Sequence, residues 1–204
     1  MRLIFFVSIL ISFLGLSGCG GSGGSSNDAR SFDTSIRRTD HGIPHIKADN
    51  FAGLGYGYGY AVAQDNICKL ADFYVTVNGE RSKFFGADET FLFPANLLEF
   101  NNADSDFFFK LIHARGKVEE LMATPPPNGP SEDMKALLRG HVAGYNRFLR
   151  DTGVDKLSDP NCRGAEWVRE ITELDVYRLA YTLGVFAGWA ASAGGIGGAQ
   201  PVDT

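Results

Sequence analysis

Few residues in this 204-residue chain have types and spacings that suggest chemistry. Gly20-Gly-Ser-Gly-Gly24 has the letters of a serine nucleophile elbow, but an elbow sits between a strand and a helix, and glycine and serine on both sides supply neither. His41 and His45 stand four apart, as a helical zinc pair would, yet Gly42 and Pro44 exclude the helix, and no ligand set is completed around them. His113 and His141 fall in helical stretches and read as packing or surface residues. The run GLGYGYGYAVAQDN, Gly53 to Asn66, places glycines at 53, 55, 57 and 59. It contains no Gly-x-Gly-x-x-Gly, no Walker lysine follows and no apolar strand precedes it, so it is no phosphate cradle. Asp65, at the end of the run, reads as a cap or a hydrogen-bond acceptor. A Ser-His-Asp set cannot be argued from spacing, because its members meet only in space.

The ends of the chain speak about export rather than catalysis. Arg2 followed by the apolar run Leu3–Leu16 is a secretory leader too short to span a bilayer as an ordinary helix. Leu16-Ser-Gly-Cys19 resembles a bacterial lipobox. Residues 1–18 are then a lipoprotein signal peptide, and Cys19 is the lipidated N-terminus that tethers the protein to a membrane face. An ordinary signal cleaved at Ser17-Gly18 is the alternative. Residues 19–34 read as a flexible polar tether. A net charge of −5 with no basic stripe excludes nucleic acid as a partner. Cys68 and Cys162 remain; an oxidising compartment favours a disulfide between them, with two buried free thiols as the alternative. Residues 191–204, which contain SAGGIGG, read as a loop leading onward.

The middle of the chain carries the elements that would position a site. Ser35–Asn50 reads as two short strands about a turn. The segment after it begins with the glycines and becomes helical by Ala61. A helix capped by Asp104 or Ser105 carries Phe108, Leu111, Ile112, Val118 and Met122 as far as prolines 125–127. A second is capped by Ser131, with Met134, Leu137, Leu138, Val142, Tyr145 and Leu149 on one stripe and Gly153 past its end. Thr172-Glu-Leu-Asp175 forms a capping box for a third, Asp175 to about Ala190, apolar almost all round from Leu179. Such a helix calls for burial on every side, and little chain remains to bury it.

The runs RRTDHGIPHI, GYGYAVAQDNICKLAD, GERSKFFG and CRGAEWVREITELDVYRLAY resemble the penicillin acylase family of N-terminal-nucleophile amide hydrolases. The similarity, over about Ile36 to Gly188, is to the branch of acyl-homoserine lactone and aculeacin-type acylases. It implies an α+β fold: the mostly helical α-chain portion (residues 35–190) of an αββα Ntn-hydrolase, with a short N-terminal β-hairpin. It further implies a precursor cut into an α chain, a spacer (here starting in 191–204) and a β chain that acts as the partner. The β chain would bring the serine nucleophile, its own α-amine as base, and the oxyanion donors. No catalytic residue is thus expected here, and the fragment alone should be inactive. The last α-chain helix builds part of the family's acyl pocket, which makes Leu183, Phe186 and Trp189 the substrate-binding candidates for an acyl-amide small molecule. The glycines would allow close backbone approach, with the tyrosines and Asp65 as scaffold. Where the penicillin G branch has a calcium-binding glutamate this sequence has SAGGIGG, which leaves calcium doubtful; no cofactor is expected. A non-catalytic exported lipoprotein that binds an acyl ligand or a partner is the alternative reading.

Overall fold

The computed structural model describes residues 32–93, 98–186, 195, 196 and 199. β1 (Thr34–Arg38) and β2 (Pro44–Ala48) form an antiparallel hairpin in which Ile36 faces Ile46. Gly42 closes its turn at φ +79°, a conformation that glycine enters without steric cost. The helix α1 (Phe51–Val77) follows at once, with Asn50 Oδ1 accepting the Gly53 amide at 2.8 Å. It therefore starts ten residues before Ala61, through the glycines rather than after them. Each glycine costs a helix about 1 kcal/mol relative to alanine, and tertiary packing offsets that cost.

That packing explains the alternation. In a helix, positions two apart point some 200° from each other, so the four glycines fall into two pairs with i, i+4 spacing. Gly53 and Gly57 face the hairpin: a Cβ on Gly57 would stand 2.6 Å from Ile46 Cγ2 and 2.7 Å from Thr34 Oγ1. Gly55 and Gly59 face α5 (Glu132–Thr152), where a Cβ would run into the carbonyl oxygens of Leu137 and His141. The partner helix returns the arrangement, since a Cβ on Gly140 or Gly144 would strike the carbonyls of Ala52 or Tyr56. The two helices meet backbone to backbone, and the same short stretch of α1 also seats the hairpin. Arg38 fastens the arrangement from β1. Its guanidinium pairs with Asp65 at 2.9 Å and donates to Gln64 Oε1 at 2.8 Å, which gives the Gln-Asp of the AQDN run a surface-clamp role. The helical dihedrals lapse at Asn66 (φ −145°, ψ 33°), where α1 kinks.

Beyond α1, Gly79 turns the chain at φ +62° into α2 (Arg81–Phe85). Arg81 is buried but satisfied: Nε donates to Asn102 Oδ1 at 2.8 Å, Nη1 to Asp72 and Thr76, and its head lies 3.6 Å over the Phe91 ring. β3 (Thr90–Phe93) and β4 (Leu98–Asn101) form a second antiparallel hairpin, in a segment that carries no clear alternation. α3 (Asn102–Ala114) is capped by Asn101, three residues before the cap expected at Asp104, because Asn101 Oδ1 takes the Ala103 amide at 2.8 Å. The continuous helix expected through Met122 is divided: Gly116, at φ +59°, separates α3 from α4 (Lys117–Ala123). α5 is capped by Ser131 and stops at Gly153, as its sequence signals. Cys68 and Cys162 are disulfide-bonded with Cα atoms 5.5 Å apart, joining α1 to the long connection between α5 and α6 (Glu173–Phe186). The core is one cluster, with Ala63, Tyr74, Val77, Phe108, Tyr145, Leu157 and Cys162 at its fully enclosed centre.

Candidate functional site

α6 is built by its first turn. Asp175 Oδ2 accepts the Thr172 amide at 2.7 Å, and Thr172 Oγ1 accepts the Asp175 amide at 3.3 Å, the reciprocal capping box written in Thr172-Glu-Leu-Asp175. Arg169 closes on the same carboxylate at 2.9 Å. Burial pushes the Asp175 carboxyl up, but Arg169, the Thr172 amide and Asn78 outweigh it and hold the pKa at about 2. Asp175, Val176 and Thr182 turn into the protein. Ala180, Leu183 and Gly184 lie on the exposed side, and Leu183 keeps 53% of its surface open. The helix expected to be covered all round is thus bare on one side among the described residues. Phe186 is its last described residue, and Trp189 lies outside the described residues.

The C-terminal end of α1 holds α6 through polar contacts that sequence reasoning missed. Asn78 Nδ2 donates to the Tyr74 carbonyl at 2.7 Å and to Asp175 Oδ1 at 2.6 Å. Arg178 Nη1 donates to Asn78 Oδ1 at 2.5 Å, and Lys110 Nζ to the Asn78 carbonyl at 2.8 Å. His113 bonds the neighbouring Val77 carbonyl at 2.9 Å. Lys110 and His113 thus satisfy carbonyls at the end of the helix, and the positive charges of Lys110 and Arg178 are the ones its dipole favours there. The signal available in the sequence was the Asp175–Arg178 pair, three apart on a helix whose other faces are apolar. One layer below, the Tyr74 hydroxyl meets His141 Nε2 at 3.2 Å, and the Tyr74 and Tyr145 rings pack edge to face. Burial lowers His141 to about 4 and raises both tyrosines, so all three are neutral at pH 7. None of this assembles a nucleophile with a base, and His141 serves to join α5 to α1.

Two open grooves flank α5. One, of about 530 Å³, lies beside Phe51, Leu54, Asp49 and Asp133; Phe51, Leu54 and Tyr58 make an exposed apolar stripe at i, i+3, i+7 along α1. The other, of about 490 Å³, lies beside Tyr56, Arg139, Arg147 and Arg150. Its charges are largely matched, since Arg147 pairs with Asp151 and Arg150 with Glu170. Among the described residues no cluster of three or more histidines, cysteines or carboxylates could hold a metal ion, and no described helix is long and apolar enough to cross a membrane.

The penicillin amidase family model matches residues 33–191, and the chain belongs to that family. Aculeacin-A acylase of Actinoplanes utahensis is 43% identical over 169 residues, a match that covers 81% of this chain and 20% of that protein. The acyl-homoserine lactone acylase PvdQ of Pseudomonas syringae pv. tomato is 41% identical over 179 residues, covering 88% of this chain and 22% of the relative. The chain thus spans about a fifth of the length of these relatives. In fold it is similar to a thermostable penicillin G acylase from Alcaligenes faecalis: TM-score 0.56, 22% identity, 73% of this chain and 70% of that one covered.

Proposed function

We propose that this chain is the N-terminal α part of a self-processing amide hydrolase precursor. The complete enzyme removes an acyl chain from an amide, an acyl-homoserine lactone or a lipopeptide, through a serine acyl-enzyme. The observation that carries this reading is identity of about 40% to two acylases across the whole described domain, within a chain a fifth of their length. The nucleophile, its amine base and the oxyanion donors come from the β part, and this chain contributes scaffold and one wall of the acyl pocket. Leu183, Phe186 and Trp189 are the proposed wall residues, and the exposed Leu183 on the bare side of α6 supports that placement. Export rests on the leader at 1–18; Cys19 is the lipid anchor on the membrane, residues 19–34 the tether, and residues 191–204 the start of the spacer. The disulfide between Cys68 and Cys162 fits the oxidising compartment that export implies.

The test is expression of the whole reading frame that contains this chain, with intact-mass analysis and an assay of fatty-acid release from N-acyl-homoserine lactones and acylated lipopeptides. Cleavage into two chains together with acyl release is expected. An uncleaved product that binds such amides without hydrolysing them would replace this reading with that of an exported acyl-binding lipoprotein.

A further inference from the structure

The polar cluster at the end of α1 makes more hydrogen bonds than capping that helix requires. Asn78 is 6% exposed and uses every polar group it has: both side-chain atoms, its amide to the Tyr74 carbonyl at 3.1 Å, and its own carbonyl to Lys110. Two of its partners, Asp175 and Arg178, lie three residues apart on α6, so they share one face of that helix. Arg178 continues the chain of contacts to Glu119 on α4 at 3.4 Å, while Arg169 and Thr172 close on Asp175 from the other side. A helix held at two points on one face can neither slide nor roll without breaking both contacts. A slip of one residue moves it by about 1.5 Å and turns it by about 100°. Leu183 lies about 140° around the axis from Arg178 and about 80° from Asp175, so any roll of α6 at those two contacts changes where Leu183 points.

We propose that Asn78 is a positioning residue for acyl-chain selectivity: through Asp175 and Arg178 it fixes the height and rotation of α6, and with them where Leu183 meets the acyl chain. This rests on the reading of α6 as a wall of the acyl pocket. In an apolar pocket one methylene more or less changes kcat/KM by about 10- to 200-fold, and a shift of α6 by a fraction of one residue rise is on that scale. The role is selectivity rather than chemistry, since Asn78 touches no reacting atom.

The experiment compares the product of the full reading frame with its Asn78→Asp and Arg178→Lys variants. Asn78→Asp keeps an acceptor for Arg178, loses the donor to Asp175 and sets a second carboxylate beside it. Arg178→Lys keeps the charge and loses the planar head group. The readouts are kcat/KM across a graded series of acyl-chain lengths, and amide hydrogen exchange along residues 176–186. Expected is a change of roughly tenfold or more in the ratio between long and short chains, with faster exchange in α6, in variants that still process and keep the disulfide. A uniform loss across the series, with its rank order kept, would overturn the proposal. Unchanged exchange in α6 would overturn it as well, whether or not the protein is active. If the unmodified protein releases no acyl chain at all, the hydrolase reading fails instead, and exchange alone decides whether Asn78 positions α6.

Discussion

Replacing Gly55 by alanine tests the packing argument most directly. The added methyl would run into the Leu137 carbonyl oxygen and stand 2.8 Å from its carbon, both backbone atoms in the second turn of α5 that no rotamer change can move. To restore ordinary contact the helices must part by on the order of 1 Å, and a gap of that size forfeits a quarter to a half of each dispersion contact it opens. The loss extends to the neighbouring contacts at Gly59, Gly140 and Gly144. Overpacking costs about 1–3 kcal/mol, and a position where only backbone can yield belongs at the top of that range. The better helix propensity of alanine returns about 1 kcal/mol, which leaves a net loss of about 2 kcal/mol. For a chain of this size that lowers Tm by about 4–8 °C. Gly184→Ala is the matched control: it lies in α6 with nothing within 4 Å of the added carbon, so the propensity term acts alone and Tm should hold or rise slightly. Urea and thermal unfolding of the disulfide-bonded protein report both. Gly55→Ala within 0.5 kcal/mol of the parent, by the same measure (~ the scatter of neutral surface substitutions), would show that the glycines do not set the helix spacing.

Other expectations follow from the polar and covalent contacts. His141 is held neutral with its pKa at about 4, so below pH 6.5 the unfolded chain takes up a proton that the folded site refuses. Stability should fall as pH drops from 6.5 to about 4, by about 3 kcal/mol from this group; His113, also lowered by burial, acts in the same direction. His141→Gln should flatten the slope of urea midpoint against pH, and an unchanged slope would refute the assignment. Removing both Cys68 and Cys162 as serines opens a cross-link 94 residues apart; the chain-entropy model gives a loss of about 4–5 kcal/mol, and a shift below about 1 kcal/mol would place the cost in native strain or residual unfolded structure instead. Arg81→Lys keeps the charge but strands the Asn102 acceptor and gives up the contact over Phe91. It should cost about 2–3 kcal/mol in unfolding free energy, and a near-neutral result would mean that solvent reaches that pocket.

Much of the scaffold could be read from the sequence because its signals are local. Ser131 before an acidic first turn, Gly153 after the last apolar residue, and the Thr172–Asp175 box each satisfy helix-end groups within a few residues, so the text alone marks α5 and the start of α6. The turn of the first hairpin, with Gly42 and Pro44, is local in the same sense. The long ordered motifs also carried the family resemblance, and the match over residues 33–191 agrees with it. The glycine run could not be read as helix, because its propensity opposes helix and the contacts that overrule it come from Ile46, 11 residues from Gly57, and from Leu137 and His141, each 82 residues from the glycine it meets. The break at Gly116 is local too, a glycine at φ +59° whose amide donates to the His113 carbonyl at 2.9 Å, whereas β3 and β4 carry no alternating pattern that marks them as strands. Asn78 shows the limit most clearly. No local pattern singles it out, and only the fold brings Asp175 and Arg178, 97 and 100 positions further on, against its side chain. Sequence determined where α5 runs, where α6 starts and which family the helices serve. The distances between those helices, and the direction in which the last one points its exposed leucine, were decided by backbone contact and buried hydrogen bonds that form only once the chain has closed on itself.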